Sequence, residues 1–224
     1  MNLKLKFFTI TLLTILMLVK TPTVSAYELK TNYPKRANYF LSWDLLESQA
    51  RDLAKWDIVI LDMEHEVRNP DKIRLMRALN PSIIILAYIT SQEMRDDALN
   101  QQTYTPLRYE LVQKQAPEWN LKRADGTLVR FWPGAHVLNL TTAAPVVGGM
   151  HWYDTLGNFI SNRILASGLW DGVFLDNTWN SLTGQIGGAI DINGDGVADS
   201  VDTIDRAYVD GFNQLLQIIR TQTG

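Results

Sequence analysis

Residues 169–177 read Leu-Trp-Asp-Gly-Val-Phe-Leu-Asp-Asn. The apolar run Val173-Phe174-Leu175 is too short for a helix. It carries a β-branched and an aromatic residue and lies between Asp-Gly and Asp-Asn, so it reads as a buried strand. Its last residue is an acid, Asp176, and parallel α/β sheets hold their chemistry at the C-terminal ends of their strands. Residues 56–62, Trp-Asp-Ile-Val-Ile-Leu-Asp, have the same form, with Glu64 and His65 just beyond. Residues 83–89, Ile-Ile-Ile-Leu-Ala-Tyr-Ile, are a third continuous apolar run, and residues 36–40 give a first, weakly marked strand.

Helical patterns alternate with these runs. One opens near Ser42-Trp43-Asp44, with Ser42 or Asp44 as cap, and continues to about Leu53. In the next, Asn69 is the cap, Pro70 takes the first helical position, Ile73, Leu75, Met76 and Leu79 are the apolar face, and Asn80-Pro81 is the stop. A long helix is predicted over residues 146–166, with Leu156, Phe159, Ile160, Ile164 and Leu165 as its stripe and Gly168 past its end. A last helix is predicted over 202–220, burying Tyr208, Phe212, Leu215, Leu216 and Ile219. Continuous apolar strands between amphipathic helices imply an α/β fold with a covered parallel sheet. The rhythm breaks over residues 90–140. That excursion holds a helix near 107–114, a hairpin turning at Ala124-Asp125-Gly126-Thr127, and an extended piece at 137–140. Long loops in a compact domain are often functional.

Four strand–helix units are half of the eight that close a (β/α)8 TIM-type barrel. Either the chain is an open half-barrel, or the sequence is the front of a longer protein. The second is the expectation, with residues 27–224 forming an incomplete barrel domain.

Residues 1–26 have the form of an export signal. Lys4 and Lys6 precede an apolar stretch of about thirteen residues, short of the ~20 a membrane span needs, and Val24-Ser25-Ala26 is a small-residue cleavage site. The expectation is a secreted or extracytoplasmic protein with no stable membrane insertion after cleavage. Without Lys4, Lys6 and Lys20, 18 of the 21 basic residues face 24 acidic ones, a net charge of −6. No basic patch with interleaved aromatics is present, so nucleic acid is not an expected partner. The chain has no cysteine, so its stability rests on a core, for which 46% hydrophobic residues suffice.

Residues 191–202 fit a twelve-residue calcium loop. Asp191, Asn193, Asp195, Asp199 and Asp202 supply side-chain oxygens, Val197 supplies a carbonyl, and Gly196 takes the sharp turn. Aspartate stands at the twelfth position, where an EF-hand has glutamate, which resembles a dockerin loop. A dockerin carries two such repeats and this chain shows one, so a cohesin-type partner is not expected. The predicted role is a structural Ca2+; the alternative is a solvated turn capping the last helix. No organic cofactor is expected.

Two strand-end acids suggest carboxylate chemistry, and hydrolysis of a glycosidic bond needs an acid for the leaving oxygen and a base or nucleophile for the anomeric carbon. Asp176 is the candidate catalytic residue. Asp62 and Glu64 are candidates to bind hydroxyls or to act on Asp176 by like-charge repulsion. Trp43 and Trp179 are candidate sugar platforms, with core packing as the alternative, and Tyr88 and Asn177 complete the candidate substrate-binding set. The histidines, His65, His136 and His151, share no metal-ligand spacing. Neither a phosphate-binding loop nor a Gly-x-Ser-x-Gly elbow occurs.

Segments 56–62, 80–89 and 168–177, with Leu138-Asn139-Leu140-Thr141, resemble the hypothetical glycosyl hydrolase families of TIM-barrel fold that are related to the endo-α-1,4-polygalactosaminidases. The likeness runs from about Asn38 to Arg220. It implies that Asp176, at the end of a fourth barrel strand, is a catalytic carboxylate. It also implies that a second acid, a Glu, lies on a strand beyond this sequence. The implied partner is a polysaccharide or oligosaccharide. The competing expectation is a non-catalytic, calcium-dependent carbohydrate-binding or scaffold protein.

Overall fold

A computed structural model describes residues 35–223. The expected signal, residues 1–26, lies outside the described residues. The elements in chain order are β1 (Ala37–Phe40), α1 (Glu47–Leu53), β2 (Ile58–Asp62), α2 (His65–Arg68), α3 (Pro70–Leu79), β3 (Ile84–Thr90) and β4 (Glu93–Arg95). Then come α4 (Pro106–Val112), β5 (Lys122–Arg123), β6 (Ala135–Val137), α5 (Trp152–Phe159), β7 (Gly172–Asp176), β8 (Ile190–Asp191) and α6 (Val201–Thr223).

The apolar runs form one parallel sheet of four strands in the order β1-β2-β3-β7. Its register sets Asp62 beside Tyr88, Tyr88 beside Phe174, and Thr90 beside Asp176. The acids at the ends of β2 and β7 therefore share one end of the sheet with Tyr88. Alternation along the strands divides the sheet into two unequal faces. Val59, Leu61, Ile85, Ala87 and Ile89 are fully buried and join a single core with Ala50 and Leu53 of α1, Ile73 and Met76 of α3, and Leu156 and Phe159 of α5. On the other face Ile58, Ile84, Leu86, Tyr88 and Phe174 are only half-buried, and Tyr39 is exposed.

The base of β7 is pinned by Asp171. Its carboxylate accepts two hydrogen bonds from the Arg77 guanidinium of α3 (3.1 and 2.9 Å) and one from the Ile85 amide of β3 (2.7 Å). A second network ties α2 to the segment between α5 and β7: Glu66 accepts from Trp170 Nε1 (2.9 Å) and is ion-paired to Arg163, which also pairs with Glu110 of α4 (3.0 Å).

Two helix boundaries differ from the sequence expectation. α1 starts at Glu47 rather than near Ser42, because Gln49 folds back to accept the Leu46 amide (2.8 Å), so Ser42, Trp43 and Asp44 stay in the loop. The long helix begins at Trp152, not at residue 146. Gly148 and Gly149 both take positive φ (60° and 81°) in a turn bridging Val147 to Met150, a backbone no helix can contain. Past Phe159 it widens to a π turn over Ile160–Ile164, then tightens over Leu165–Ser167 and ends at Gly168 with φ 69°. The Asp125-Gly126 turn forms as expected, with Asp125 accepting the Thr127 amide (2.9 Å). The excursion also builds two short antiparallel ribbons, β4–β6 and β5–β8. No helix among the described residues is long and apolar enough to cross a membrane.

Candidate active site

A cavity of about 270 Å³ opens at the C-terminal ends of β1, β2 and β3, lined among others by Trp43, Asp62, Tyr88, Glu93 and Arg108. Asp176 does not line it but reaches its wall through Tyr88, whose hydroxyl donates to Asp176 Oδ2 at 2.6 Å. The Asn177 amide donates to Asp176 Oδ1 at 2.8 Å. Burial and the Asp176 charge push the Tyr88 phenol far above its ordinary value, so it remains a donor. Its ring packs against Tyr39 (5.8 Å between centroids) and Phe174 (6.2 Å).

The loop after β3 holds this end of β7. Ser91 donates to the Asp176 carbonyl from its amide (3.3 Å) and its hydroxyl (2.8 Å). The buried Gln92 donates to the Asn177 carbonyl and to Tyr208 Oη of α6 (3.2 Å). Asn177 is the only non-glycine residue with positive φ (60°) among the described residues. Asparagine takes this left-handed conformation more readily than other side-chain-bearing residues, because its short amide can bond locally.

The predicted residues divide into two groups. Trp43 (44% exposed), Asp62 and Tyr88 line the cavity, and Asn177 and Asp176 back it. Asp62 is held bidentate by Arg108 (2.8 Å to each oxygen), and the Trp43 ring lies over the same guanidinium (5.5 Å). Trp179 packs edge-on against Phe131 (4.9 Å), whose neighbour Trp132 faces Glu93, so it buttresses that side of the site. Glu64 lies in the second group, away from the cavity. It is buried and accepts the Leu107 and Arg108 amides at the start of α4 (3.0 and 2.9 Å), and burial raises its pKa. His65 is likewise internal, bonded to the Ser42 carbonyl and to Asn69 (2.8 Å each).

Sequence reasoning missed Glu93, Arg108 and Trp132. Glu93 Oε1 accepts Trp132 Nε1 (2.9 Å), and Oε2 accepts Asn177 Nδ2 (2.8 Å). Its only signal was its place a few residues past a strand end in a long excursion.

In the 191–202 loop, Asp191 accepts the amides of Gly194 (2.7 Å), Asp195 (3.3 Å) and Gly196 (2.8 Å). Asn193 accepts the Asp195 amide (3.0 Å), Asp195 the Val197 amide (2.8 Å) and Asp199 the Ile192 amide (2.8 Å). Asp202 stands exposed in the first turn of α6, 3.8 Å from Arg206. No cluster of three or more His, Cys, Asp or Glu that could hold a metal ion occurs among the described residues.

A family sequence model described as hypothetical glycosyl hydrolase family 15 matches residues 77–224. The chain belongs to this family. The matched span begins within α3 and takes in Tyr88, Glu93, Arg108, Asp176 and Asn177, so most of the cavity wall lies inside the family region, while Trp43 and Asp62 precede it. No curated protein matches the chain.

Proposed function

We propose that this protein is an exported glycoside hydrolase that cuts a polysaccharide by carboxylate catalysis, with Asp176 as base or nucleophile. One observation carries the reading. Asp176 ends a parallel strand with each oxygen fixed by a donor, beside a cavity walled by Trp43, Tyr88 and further carboxylates. Aromatic faces suit sugar rings, and a positioned carboxylate suits an oxocarbenium-like transition state. Membership of a hypothetical glycosyl hydrolase family supports it.

The sheet is further read as an arc of a TIM barrel. Four parallel strands adjacent in chain order, covered by helices on one face and half-open and apolar on the other, are what such an arc presents. The 191–202 loop is proposed to take a structural Ca2+, supported by its ligand spacing and by Asp191 gathering the loop amides. Calcium should raise the melting temperature and EGTA reverse the gain; a melting temperature indifferent to both removes the ion.

Asp176→Asn in the full-length protein should abolish release of reducing ends from soluble polysaccharides while circular dichroism and melting temperature stay unchanged. Activity within a few fold of wild type would overturn the assignment.

A further inference from the structure

Asp176 supplies one of the two groups that glycoside hydrolysis requires. Glu93 is the other ionisable carboxyl bound into the same hydrogen-bond frame. It opens β4, lines the cavity and is half-buried. Its oxygens are fixed separately, one by Trp132 from the excursion and one by the Asn177 side chain. The same Asn177 gives its backbone amide to Asp176. A single residue, 7% exposed and held at positive φ, thus fixes both carboxyls from two of its own nitrogens. The β4–β6 ribbon, pairing Glu93 with Val137, fixes the other end of this frame.

We propose that Glu93 is the proton donor to the glycosidic oxygen and that Asn177 is the positioning residue that holds it in one frame with Asp176. This inference rests on the hydrolase reading. As the bond between the anomeric carbon and the glycosidic oxygen breaks, its electron pair stays on the oxygen. That oxygen takes the Glu93 proton and leaves as an alcohol. A water oxygen bonds to the anomeric carbon, and its proton passes to the Asp176 carboxylate. Exchange with solvent restores both groups, and one water is consumed. Burial raises the Glu93 pKa, as a donor requires, and the Asp176 charge adds to this; the bonds from Trp132 and Asn177 and the Arg108 charge oppose it. The charged groups facing Glu93 are Asp176, Arg108 and Arg95.

The test uses the full-length protein on carboxymethylcellulose, soluble xylan, chitosan and polygalactosamine, reading reducing ends. On the polymer that is cleaved, Glu93→Gln should lower kcat by about 100-fold or more and remove the alkaline limb of the pH profile, with an unchanged melting temperature. Asn177→Gly keeps the backbone conformation and removes one hydrogen bond to the Glu93 carboxylate. It should lower kcat and move the alkaline limb to higher pH. If Glu93→Gln keeps activity within threefold and a bell-shaped profile while Asp176→Asn is inactive, the Glu93 assignment falls and the hydrolase reading stands. If no polymer is cleaved, both fall together. Should Glu93→Gln fail to fold, carboxyl 13C NMR of the wild type decides. Glu93 titrating above an ordinary glutamate, and lower in Asp176→Asn, supports the proposal; titration at or below the ordinary value overturns it.

Discussion

Arg108 is the residue on which the cavity floor depends. It faces two buried carboxylates, Asp62 and Glu64, and its guanidinium is nearly enclosed. Removing one partner of a buried ion pair leaves an uncompensated charge and costs roughly 3–5 kcal/mol. Arg108→Leu should therefore lower the unfolding free energy by about that much in urea titration. Restoring charge balance with a second change, Asp62→Asn, should recover part of it. Tyr88 offers a gentler probe. Tyr88→Phe keeps the ring packing with Tyr39 and Phe174 and deletes only the donor to Asp176. A hydrogen bond to a charged group contributes about 1.5–3 kcal/mol to stability, so the unfolding free energy should fall by about that much in urea titration, and kcat should fall as Asp176 loses its fixed orientation. Asp62 and Tyr88 were legible in the sequence because strand ends announce themselves. Arg108 was not, since nothing in its local pattern distinguishes a buried guanidinium from a surface one.

Between elements, close helix approach is set by two glycines. A Cβ on Gly211 of α6 would stand 1.7 Å from the Leu140 carbonyl oxygen, a backbone atom that cannot turn aside. A Cβ on Gly157 of α5 would meet side chains alone, Ile218 at 2.7 Å and Leu215 at 3.5 Å. Alanine gains up to about 1 kcal/mol of helix propensity over glycine, while overpacking costs about 1–3 kcal/mol or more. Gly211→Ala should thus destabilise by about 2 kcal/mol or more and Gly157→Ala by far less, as read from denaturant midpoints. The junction of α2 and α3 carries a pH dependence. Burial lowers the His65 pKa from its ordinary 6.5. Below pH 6.5 the unfolded chain binds a proton that the folded protein resists, so this group makes stability fall as pH drops towards its folded pKa. Unfolding free energies measured between pH 7.5 and 5 should show that decline, and His65→Gln should flatten it.

At the scale of the whole molecule, the sheet's two faces differ in what covers them. Ile85 is fully buried beneath the helices, whereas its neighbour Leu86 is only half-buried on the open face. If the sheet closes into a barrel, both positions become core, and Leu86→Asp should cost as much stability as Ile85→Asp in the full-length protein. If the open face stays in water, Leu86→Asp should cost clearly less. Chemical denaturation of the two variants separates these cases. The parallel order of β1, β2, β3 and β7 was legible from the sequence because continuous apolar runs separated by helices admit few other arrangements. The two short ribbons were not, since two- and three-residue strands carry no period.

The sequence by itself determined the four strands of the parallel sheet, the punctuated helix α3, the left-handed stop at Gly168 and the acids at the ends of β2 and β7. Each of these follows from local physics: an apolar run too short for a helix, a proline at a first turn, a residue that tolerates positive φ. Only the tertiary structure decided where each acid sits and what it bonds. It drew Glu64 inward to the start of α4, paired Asp62 with Arg108 46 residues away, and brought Glu93 within reach of Asn177 across 84 residues. Those pairings depend on the excursion after β3 folding back over β7 through Ser91 and Gln92, and contacts at such separation leave no trace in a window of ten residues.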